Sequence, residues 1–331
     1  METGSELRER AVLFTGRDEA IRGISGRNLR AFIFGETLDI IPQIVISGLA
    51  AGGVYGLIAL GFVLIYKATS VLNLATGEFM TLGAFVCLSV MTQSSAPFYV
   101  AFVTTMVFAA LVGVIIERLI LRPLIGEPII SVIMVTIGLG SILRGLTHIV
   151  WSPEYRSFPP IFPPQPLNLG FAVVPSGLLW GFIFAMVFTA VFTTVFQYTR
   201  TGLAMRATAS NQQTALSMGI SVKTVFALSW SFAAITAAVG GVIIGNISGI
   251  SLHLGNIGLK VLSVIILGGL DSIVGAILGG FVIGLLENFA GVYLDPLLGG
   301  GTKEVVPFVI LVIIIVIRPY GIFGKETIER V

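Results

Sequence analysis

Several polar residues of this 331-residue sequence lie inside long apolar runs, where a polar side chain is unusual. The segment Asn73-Leu-Ala-Thr-Gly-Glu78 brings an amide, a hydroxyl and a carboxyl together as it enters an apolar run. Glu287 and Asn288 lie late in another such run. Polar groups are costly inside a membrane and often mark the route of a transported solute. We therefore predict that a translocation pathway is lined by Asn73, Thr76, Glu78, Glu287 and Asn288.

Each of these residues also has a structural interpretation. Asn73 or Thr76 could cap the helix that follows, with Glu78 in its first turn, where the helix dipole favours a carboxylate. Glu287 and its neighbour could instead pack against another subunit. The adjacent residues Glu117 and Arg118 predict an interfacial ion pair. These alternatives stay open at the level of the sequence.

The sequence contains none of the common catalytic motifs that we searched for. It has no Gly-x-Ser-x-Gly elbow and no His-Glu-x-x-His pair. The segment Gly299-Gly-Gly-Thr-Lys303 is rich in glycine but lacks the Gly-Lys-Ser/Thr ending of a nucleotide-binding loop. His148 and His253 are isolated, and the one cysteine, Cys87, lies in an apolar run. We expect that the chain is not an enzyme, holds no metal or cofactor, and relies on another chain for any nucleotide hydrolysis.

The elements that position these residues follow from hydropathy. The chain is 55% hydrophobic and 11% charged, whereas about a quarter of the residues in soluble domains are charged. A helix needs about 20 apolar residues to cross the hydrocarbon core. This predicts an all-α integral membrane protein, a polytopic helix bundle of about eight or nine spans. The spans are expected near 42–66, 77–93, 97–117, 128–150, 177–198, 224–247 and 305–318, with a pair in 257–293 that could be a hairpin or a broken helix.

Charge divides the chain into two regions and orients it. Residues 1–40 form a polar amino-terminal extension without the pattern of a secretory signal peptide, and residues 41–331 form the transmembrane domain. Cations collect in the connection 199–223, after residue 117 and in the tail, which makes that side cytoplasmic. The proline-rich connection 151–176 is then expected to be a rigid extracytoplasmic loop without regular structure. Nine spans put the amino terminus outside, while its arginines argue for inside, so its side stays open.

The largest polar stretch between two spans is residues 202–219. Apolar and polar residues alternate there in a pattern that predicts a short helix closed by Gly219. A short helix on the cytoplasmic face is suited to a groove of a soluble partner. A plain basic loop is the alternative.

Four segments of the chain resemble one family. Thr201-Gly-Leu-Ala-Met-Arg-Ala-Thr-Ala-Ser-Asn211, continued by Ala215-Leu-Ser-Met-Gly-Ile220, is similar to the cytoplasmic loop of bacterial branched-chain amino acid ABC transporter permeases, specifically the first of the two paralogous permeases. The other three segments, which also resemble that family, are Gly53-Val-Tyr-Gly-Leu-Ile-Ala-Leu-Gly61 with the turn at 73–78, Leu267-Gly-Gly-Leu-Asp-Ser-Ile-Val-Gly-Ala-Ile-Leu-Gly-Gly280 and Arg318-Pro-Tyr-Gly-Ile-Phe-Gly324. The resemblance covers roughly residues 43–331. The chain departs from the family in having Thr76 where His is common, and in its longer polar start.

The resemblance implies an ABC importer permease fold and a subunit of an ATP-driven importer in a bacterial or archaeal inner membrane. It implies a second permease, two ATPase subunits that hold ATP and Mg²⁺, and an extracytoplasmic binding protein that delivers leucine, isoleucine or valine. Residues 202–219 would seat in the ATPases through Gly202, Arg206, Ala207, Asn211, Leu216 and Gly219. The urea and short-amide importers share these motifs and remain an alternative. An ion-coupled carrier or channel is less favoured, because it predicts acids or a filter at mid-membrane.

Overall fold

The computed structural model describes residues 26–125, 127–161, 165–168 and 173–324, with side chains from residue 40 onward. Its helices are α1 Gly26–Thr69, α2 Thr76–Gln93, α3 Phe98–Ile116, α4 Ile129–Trp151, α5 Ser176–Tyr198, α6 Arg200–Ser210, α7 Gln212–Ser217, α8 Val222–Ser248, α9 Leu254–Gly268, α10 Ile273–Tyr293, α11 Asp295–Leu298 and α12 Thr302–Ile317. A π-helical turn, Glu117–Leu121, and a 3₁₀ turn, Arg122–Leu124, continue α3. The predicted all-α membrane bundle is confirmed as a class.

Six helices of the described residues are long and apolar enough to cross a membrane. They are Ile40–Thr69 within α1, α3 with its continuation to Leu124, α4, α5, α8 and α10. The helices α2, α9 and α12 have 18, 15 and 16 residues. The expected count of eight or nine full spans is therefore not confirmed. The difference has a physical reason, because α2 and α9 begin at buried residues, Thr76 and Leu254, rather than at a surface of the bundle.

The helices α1 and α8 form the centre of the bundle. Their most apolar windows are 89% and 78% buried, whereas the corresponding windows of α4 and α5 are 22% buried. Gly61 lies against Ala233, and Gly240 lies against Ile58, so the two helices run in opposite directions. Because lipid offers little hydrophobic drive between helices, close packing at small residues such as these holds them together.

Two sets of helices make matching contacts around this centre. The first set is α1 to α4, and the second is α8, α9, α10 and α12. α3 packs against α8 as α10 packs against α1, and α2 contacts α4 as α9 contacts α12. Paired sets whose leading helices have opposite directions are typical of transporters, which place their sites near the boundary between the sets. The short helices α2 and α9 meet at that boundary.

Glycines bring α1 and α10 into backbone contact. A Cβ atom on Gly280 would lie 2.5 Å from the carbonyl oxygen of Gly52, and a Cβ on Gly52 would lie 2.5 Å from the carbonyl oxygen of Gly280. Gly48 and Gly284 repeat the contact one turn away. Spacing of small residues by four positions keeps them on one helix face, so the two backbones stay close over several turns.

The connections differ from the sequence-based expectations in two places. We call the side of residues 199–223 the coupling side and the side of residues 152–175 the outer side. The connection 151–176 was expected to lack regular structure, but it contains the antiparallel strands β1 Leu167–Asn168 and β2 Val173–Val174. On the coupling side, the predicted pair of Glu117 with Arg118 is replaced by Glu117 with Arg122, at 2.9 Å. The backbone N–H of Arg122 bonds to the carbonyl oxygen of Glu117, five positions back, as in a π-helix, and this brings the two side chains together.

On the outer side, the connection 151–176 is hydrogen-bonded to the end of α8 and the residues that follow it. Arg156 pairs through its backbone with Ile250, which ties the connection 151–176 to the segment after α8. The hydroxyl of Tyr155 donates a hydrogen bond to the carbonyl oxygen of Ser248, at 3.0 Å. Of the amino-terminal extension predicted over 1–40, residues 1–25 lie outside the described residues, and residues from Gly26 onward belong to α1.

The close contact of α1 with α10 predicts that a methyl group added at Gly280 destabilises the protein. Gly280→Ala should lower the free energy of unfolding by about 1–3 kcal/mol, because the Cβ meets backbone atoms that cannot move away independently. Gly138→Ala is the matched control, since a Cβ at Gly138 of α4 has nothing within 4 Å. Thermal unfolding of the purified protein measures both, and equal melting temperatures would contradict the packing argument.

Candidate functional site

The segment between α1 and α2 turns the chain inside the bundle. Asn73 and Thr76 are each 1% exposed. The side-chain oxygen of Asn73 accepts a hydrogen bond from the backbone N–H of Ala75, and the hydroxyl of Thr76 donates to the carbonyl oxygen of Asn73. The N-cap of α2 is Ala75, and it makes no side-chain cap hydrogen bond. The capping interpretation is therefore corrected, because both side chains stabilise the turn before the helix instead.

Glu78 lies in the first turn of α2, as the sequence predicted, and pairs with an arginine that the sequence reading missed. The Nη2 and Nε atoms of Arg144 in α4 lie 2.6 and 2.9 Å from Oε1 of Glu78. The side chain of Glu78 is 6% exposed, while that of Arg144 is 50% exposed. An arginine in the apolar span 129–151 was a sequence signal for this pair, since ionisable residues inside spans are rare and need partners.

Two polar atoms of this region have no hydrogen-bond partner among the described residues. They are Oε2 of Glu78 and Nδ2 of Asn73, and both are buried. Buried polar atoms normally find partners, so these two are exceptions in the bundle. The half-exposed Arg144 is the member of this region that can meet a polar solute or a side chain of another subunit.

Glycines bring the start of α9 against the start of α2. A Cβ on Gly258 would lie 2.5 Å from the Cα of Gly77, and a Cβ on Gly255 would lie 2.7 Å from Oε1 of Glu78. The first turns of the two helices, with their positive dipole ends, therefore face the Glu78 carboxylate. We call the group Asn73, Thr76, Glu78, Arg144 and Gly255 the central junction.

Glu287 and Asn288 lie apart from the central junction, on a cavity of about 760 Å³ that opens toward the outer side. The wall between the two regions is α9. Nζ of Lys260 in α9 lies 3.0 Å from Oε1 of Glu287 and 2.8 Å from Oε1 of Glu304 in α12. The hydroxyl of Tyr55 donates to Oε2 of Glu287 at 2.8 Å. We call this the outer cavity.

The sequence reading missed two members of that network. Lys260 stands within the apolar segment 254–268, and a lysine there was a signal of the same kind as Arg144. Tyr55 gave no signal, because its partner is 232 positions away in the chain. The predicted pathway residues therefore fall into two groups, one at the central junction and one at the outer cavity.

The polar stretch 202–219 forms two helices rather than the single helix predicted. Asn211 is extended, with φ −159° and ψ 113°, so it ends α6. Its side-chain oxygen accepts a hydrogen bond from the backbone N–H of Thr214 at 2.9 Å and so caps α7. Gly219 adopts φ +82° and closes α7, as predicted, because the N–H of Ile220 reaches back to the carbonyl oxygen of Ala215.

The six predicted coupling residues divide into those that anchor this stretch and those on its surface. Gly202 is buried, where a Cβ would collide with the backbone of Phe196. The guanidinium of Arg206 donates to the carbonyl oxygen of Phe196 and lies over its ring. Ala207 is half-buried, while Asn211, Leu216 and Gly219 are exposed. The anchored residues thus hold α6 against the end of α5.

Three large apolar side chains of this stretch are exposed. Leu216 is 57% exposed and Met218 is 78% exposed, and Leu203 of α6 adds a third apolar group at 59%. Arginine and lysine residues nearby keep the surface polar around them. We call Leu203, Asn211, Leu216 and Met218 the coupling surface.

The glycine-rich segment 299–303 forms a turn on the outer side. Gly299, Gly300 and Gly301 all have positive φ, and Asp295 accepts hydrogen bonds from the backbone N–H and hydroxyl of Thr302. These bonds lower the pKa of the Asp295 carboxyl below its usual value. Within the described residues, no group of three or more His, Cys, Asp or Glu is placed to hold a metal ion.

Comparisons with known proteins agree with one another. The profile of the family described as "Branched-chain amino acid transport system / permease component" matches residues 44–317. The chain is 29% identical over 305 residues to the high-affinity branched-chain amino acid transport system permease protein LivH of Escherichia coli K12, covering 87% of this chain and 97% of that one. It is equally 29% identical over 303 residues to BraD of Pseudomonas aeruginosa, which carries the same description, covering 87% and 97%.

One further relative and one solved structure were also compared with the chain. A probable branched-chain amino acid transport permease protein LivH of Methanocaldococcus jannaschii is 29% identical over 308 residues, covering 88% of this chain and 94% of that one. The solved structure of PsaBC from Streptococcus pneumoniae in complex with Fab aligns with a TM-score of 0.47 at 13% identity, covering 87% and 97%.

The ion pair at the central junction, which is buried on its Glu78 side, predicts a non-additive effect on stability. Arg144→Met should lower the free energy of unfolding by about 3–5 kcal/mol, because it leaves the Glu78 charge buried and unpaired. The double variant Glu78→Gln with Arg144→Met should recover most of that loss. Arg200→Met, which removes an exposed arginine, is the control. Thermal unfolding of the wild type, the single variants Glu78→Gln and Arg144→Met, the double variant and the control measures the coupling. Losses in the two single variants that add up in the double variant would contradict a direct interaction.

Proposed function

The chain belongs to the branched-chain amino acid transport system permease family, and we propose that it is the membrane subunit of an ATP-driven importer of branched-chain amino acids. It forms the translocation pathway together with a second, paralogous permease. Its place is the inner membrane of a bacterial or archaeal cell. The observation that carries the proposal is the family match over residues 44–317, which spans both helix sets and the coupling surface.

The coupling surface suits a soluble ATPase. Two such subunits bind ATP and Mg²⁺ and take the exposed Leu203, Leu216 and Met218 into a groove, as a short helix is commonly recognised. The surface is attached at both ends to elements of the bundle. Arg206 ties α6 to the end of α5, and α8, which follows at Val222, is a central helix.

These attachments support a rigid-body mechanism. When the ATPases close on ATP, the coupling surface moves with them and carries the ends of α5 and α8. Because the packed core deforms little, the displacement becomes a movement of whole helices between outward-open and inward-open arrangements. This chain contributes the coupling surface and the helices that move with it, and the ATPase subunits hydrolyse the nucleotide.

The central junction suits the route of the solute. Arg144 is half exposed although it lies within an apolar span, and a charge facing lipid at that depth would be costly. We place the second permease and a water-filled pathway against this face of α4. Glu78, Asn73 and Thr76 then lie one layer behind Arg144, and the Glu78 carboxylate positions the Arg144 guanidinium beside the pathway.

The outer cavity suits delivery by a binding protein. It opens on the side opposite the coupling surface. Its wall is formed by Glu287, Asn288 and apolar residues of four helices. An extracytoplasmic binding protein docks on this side and releases leucine, isoleucine or valine toward the bundle.

A substitution that introduces one charge on the coupling surface tests whether the ATPases bind there. Leu216→Asp should reduce ATP-driven uptake and the ATPase activity that depends on the permease at least tenfold, because it places a charge in an apolar contact. Leu297→Asp is the control for ATPase activity and ATPase co-purification, since Leu297 is also exposed but lies on the outer side, away from the ATPases. Co-purification of the ATPase subunits with each variant provides the second measurement. Normal uptake by Leu216→Asp at normal expression would refute the assignment.

The substrate is tested in proteoliposomes that contain both permeases, both ATPases and the binding protein. We expect ATP-dependent uptake of labelled leucine that isoleucine and valine inhibit and urea does not. Without the binding protein or with a non-hydrolysable nucleotide, uptake should fall to background. Uptake of urea in place of leucine would assign the chain to the short-amide importers instead.

A further inference from the structure

The outer cavity carries four charged side chains whose charges cancel. Lys260 and Lys303 supply two positive charges, and Glu287 and Glu304 supply two negative ones. A volume of about 760 Å³ lies within the usual range for small-molecule sites. A site of zero net charge with both signs on its wall matches a ligand that is itself neutral overall and charged at both ends.

Two of these charges are fixed and two are free to rearrange. Lys260 is 5% exposed and Glu287 is 7% exposed, and Tyr55 holds the second oxygen of Glu287. Glu304 has a side chain that is 69% exposed, and Lys303 is exposed as well. Lys260 therefore has a permanent partner in Glu287 and an exchangeable one in Glu304.

Hydrogen-bonding capacity remains at the fixed end. A lysine ammonium has three N–H donors, and Lys260 uses one for Glu287 and one for Glu304. A ligand carboxylate can take the third donor, or replace Glu304. The released Glu304 carboxylate can then accept from a ligand ammonium group.

The rest of the wall is aliphatic. Val54 of α1, Ile244 of α8, and Leu254 and Ile257 of α9 line the same cavity. Burying a branched aliphatic side chain against them removes its apolar surface from water. Opposite charges a few ångströms from an aliphatic wall are the complement of an aliphatic α-amino acid.

We propose that the outer cavity is a binding site within this chain for a zwitterionic, branched aliphatic amino acid. Its carboxylate binds Lys260 and Lys303, its ammonium group binds Glu304, and its side chain packs on Val54, Ile244 and Ile257. Tyr55 and Glu287 position Lys260. The inference rests on the proposed function, since it locates a binding site for the imported solute within this subunit.

The site also explains a choice among substrates. Urea has no charge and no aliphatic group, so it leaves both the ion pairs and the apolar wall as they are. A simple amine or carboxylic acid satisfies one end only and leaves the opposite charge uncompensated. The cavity therefore favours amino acids over the solutes of short-amide importers.

The first test is binding of labelled leucine to the intact complex of both permeases and both ATPases in nanodiscs, without binding protein or nucleotide. We expect saturable binding that valine and isoleucine displace, and that urea, 4-methylpentanoate and 3-methylbutan-1-amine displace poorly. Glu304→Gln should weaken leucine binding about tenfold, because it removes one charge-assisted hydrogen bond. Glu127→Gln, the same change at an exposed site on the coupling side, should bind as the wild type does.

A second measurement locates the site. Cys87, the one native cysteine, is buried, so Ser251→Cys on the cavity wall gives a single reactive thiol. Leucine should slow its modification by a membrane-impermeant thiol reagent at least threefold, and adding Glu304→Gln should remove the protection at the same leucine concentration. Unchanged modification rates, or equal leucine affinity of Glu304→Gln and wild type, would overturn the inference.

Leucine uptake by the wild-type transporter distinguishes a failure of the outer-cavity inference from a failure of the proposed function. ATP-driven leucine uptake without leucine binding or thiol protection in the outer cavity overturns this inference and leaves the proposed function standing. Failure of leucine uptake overturns the proposed function itself.

Discussion

Inside the hydrocarbon, a polar group has no water to bond and must find its partner within the protein. This constraint organises the whole bundle. Glu78 meets Arg144, and Lys260 meets Glu287, so each buried charge is compensated. Both pairs involve α2 or α9, the two helices that begin at buried residues. A helix can start at that depth only because the protein, rather than lipid or water, surrounds its free N–H groups.

Close packing joins the helices that carry these polar groups to the rest of the bundle. The backbones of α1 and α10 touch at Gly52 and Gly280, and those of α2 and α9 touch at Gly77 and Gly258. Interiors packed in this way move as bodies rather than deforming continuously. In the proposed mechanism, a displacement applied at the coupling surface would reach the helices that carry Glu78 and Lys260. The matching helix sets give this movement a natural boundary, which is the contact of α2 with α9.

Local signals were sufficient for much of this architecture. Hydropathy located the six long apolar helices, and the polar residues Asn73, Thr76, Glu78 and Glu287 are buried. Gly219 was recognisable as a helix end because its positive φ is a local requirement. Asn211 was misjudged, since the same residue type serves in a helix and as a cap, and only its extended backbone separates α6 from α7. Arg144 and Lys260 were visible as charges within apolar runs, but their partners were not.

The membrane class, the long apolar helices, the basic coupling side and the resemblance to the permease family can all be recognised from the amino-acid sequence. These properties depend on hydropathy, on local hydrogen bonding and on short motifs, all of which act over neighbouring residues. Three features require the folded chain: α2 and α9 start inside the bundle, Tyr55 reaches Glu287, and the predicted pathway residues separate into a central junction and an outer cavity. Those outcomes depend on contacts between residues far apart in the chain, whose distances are set by how the helices pack.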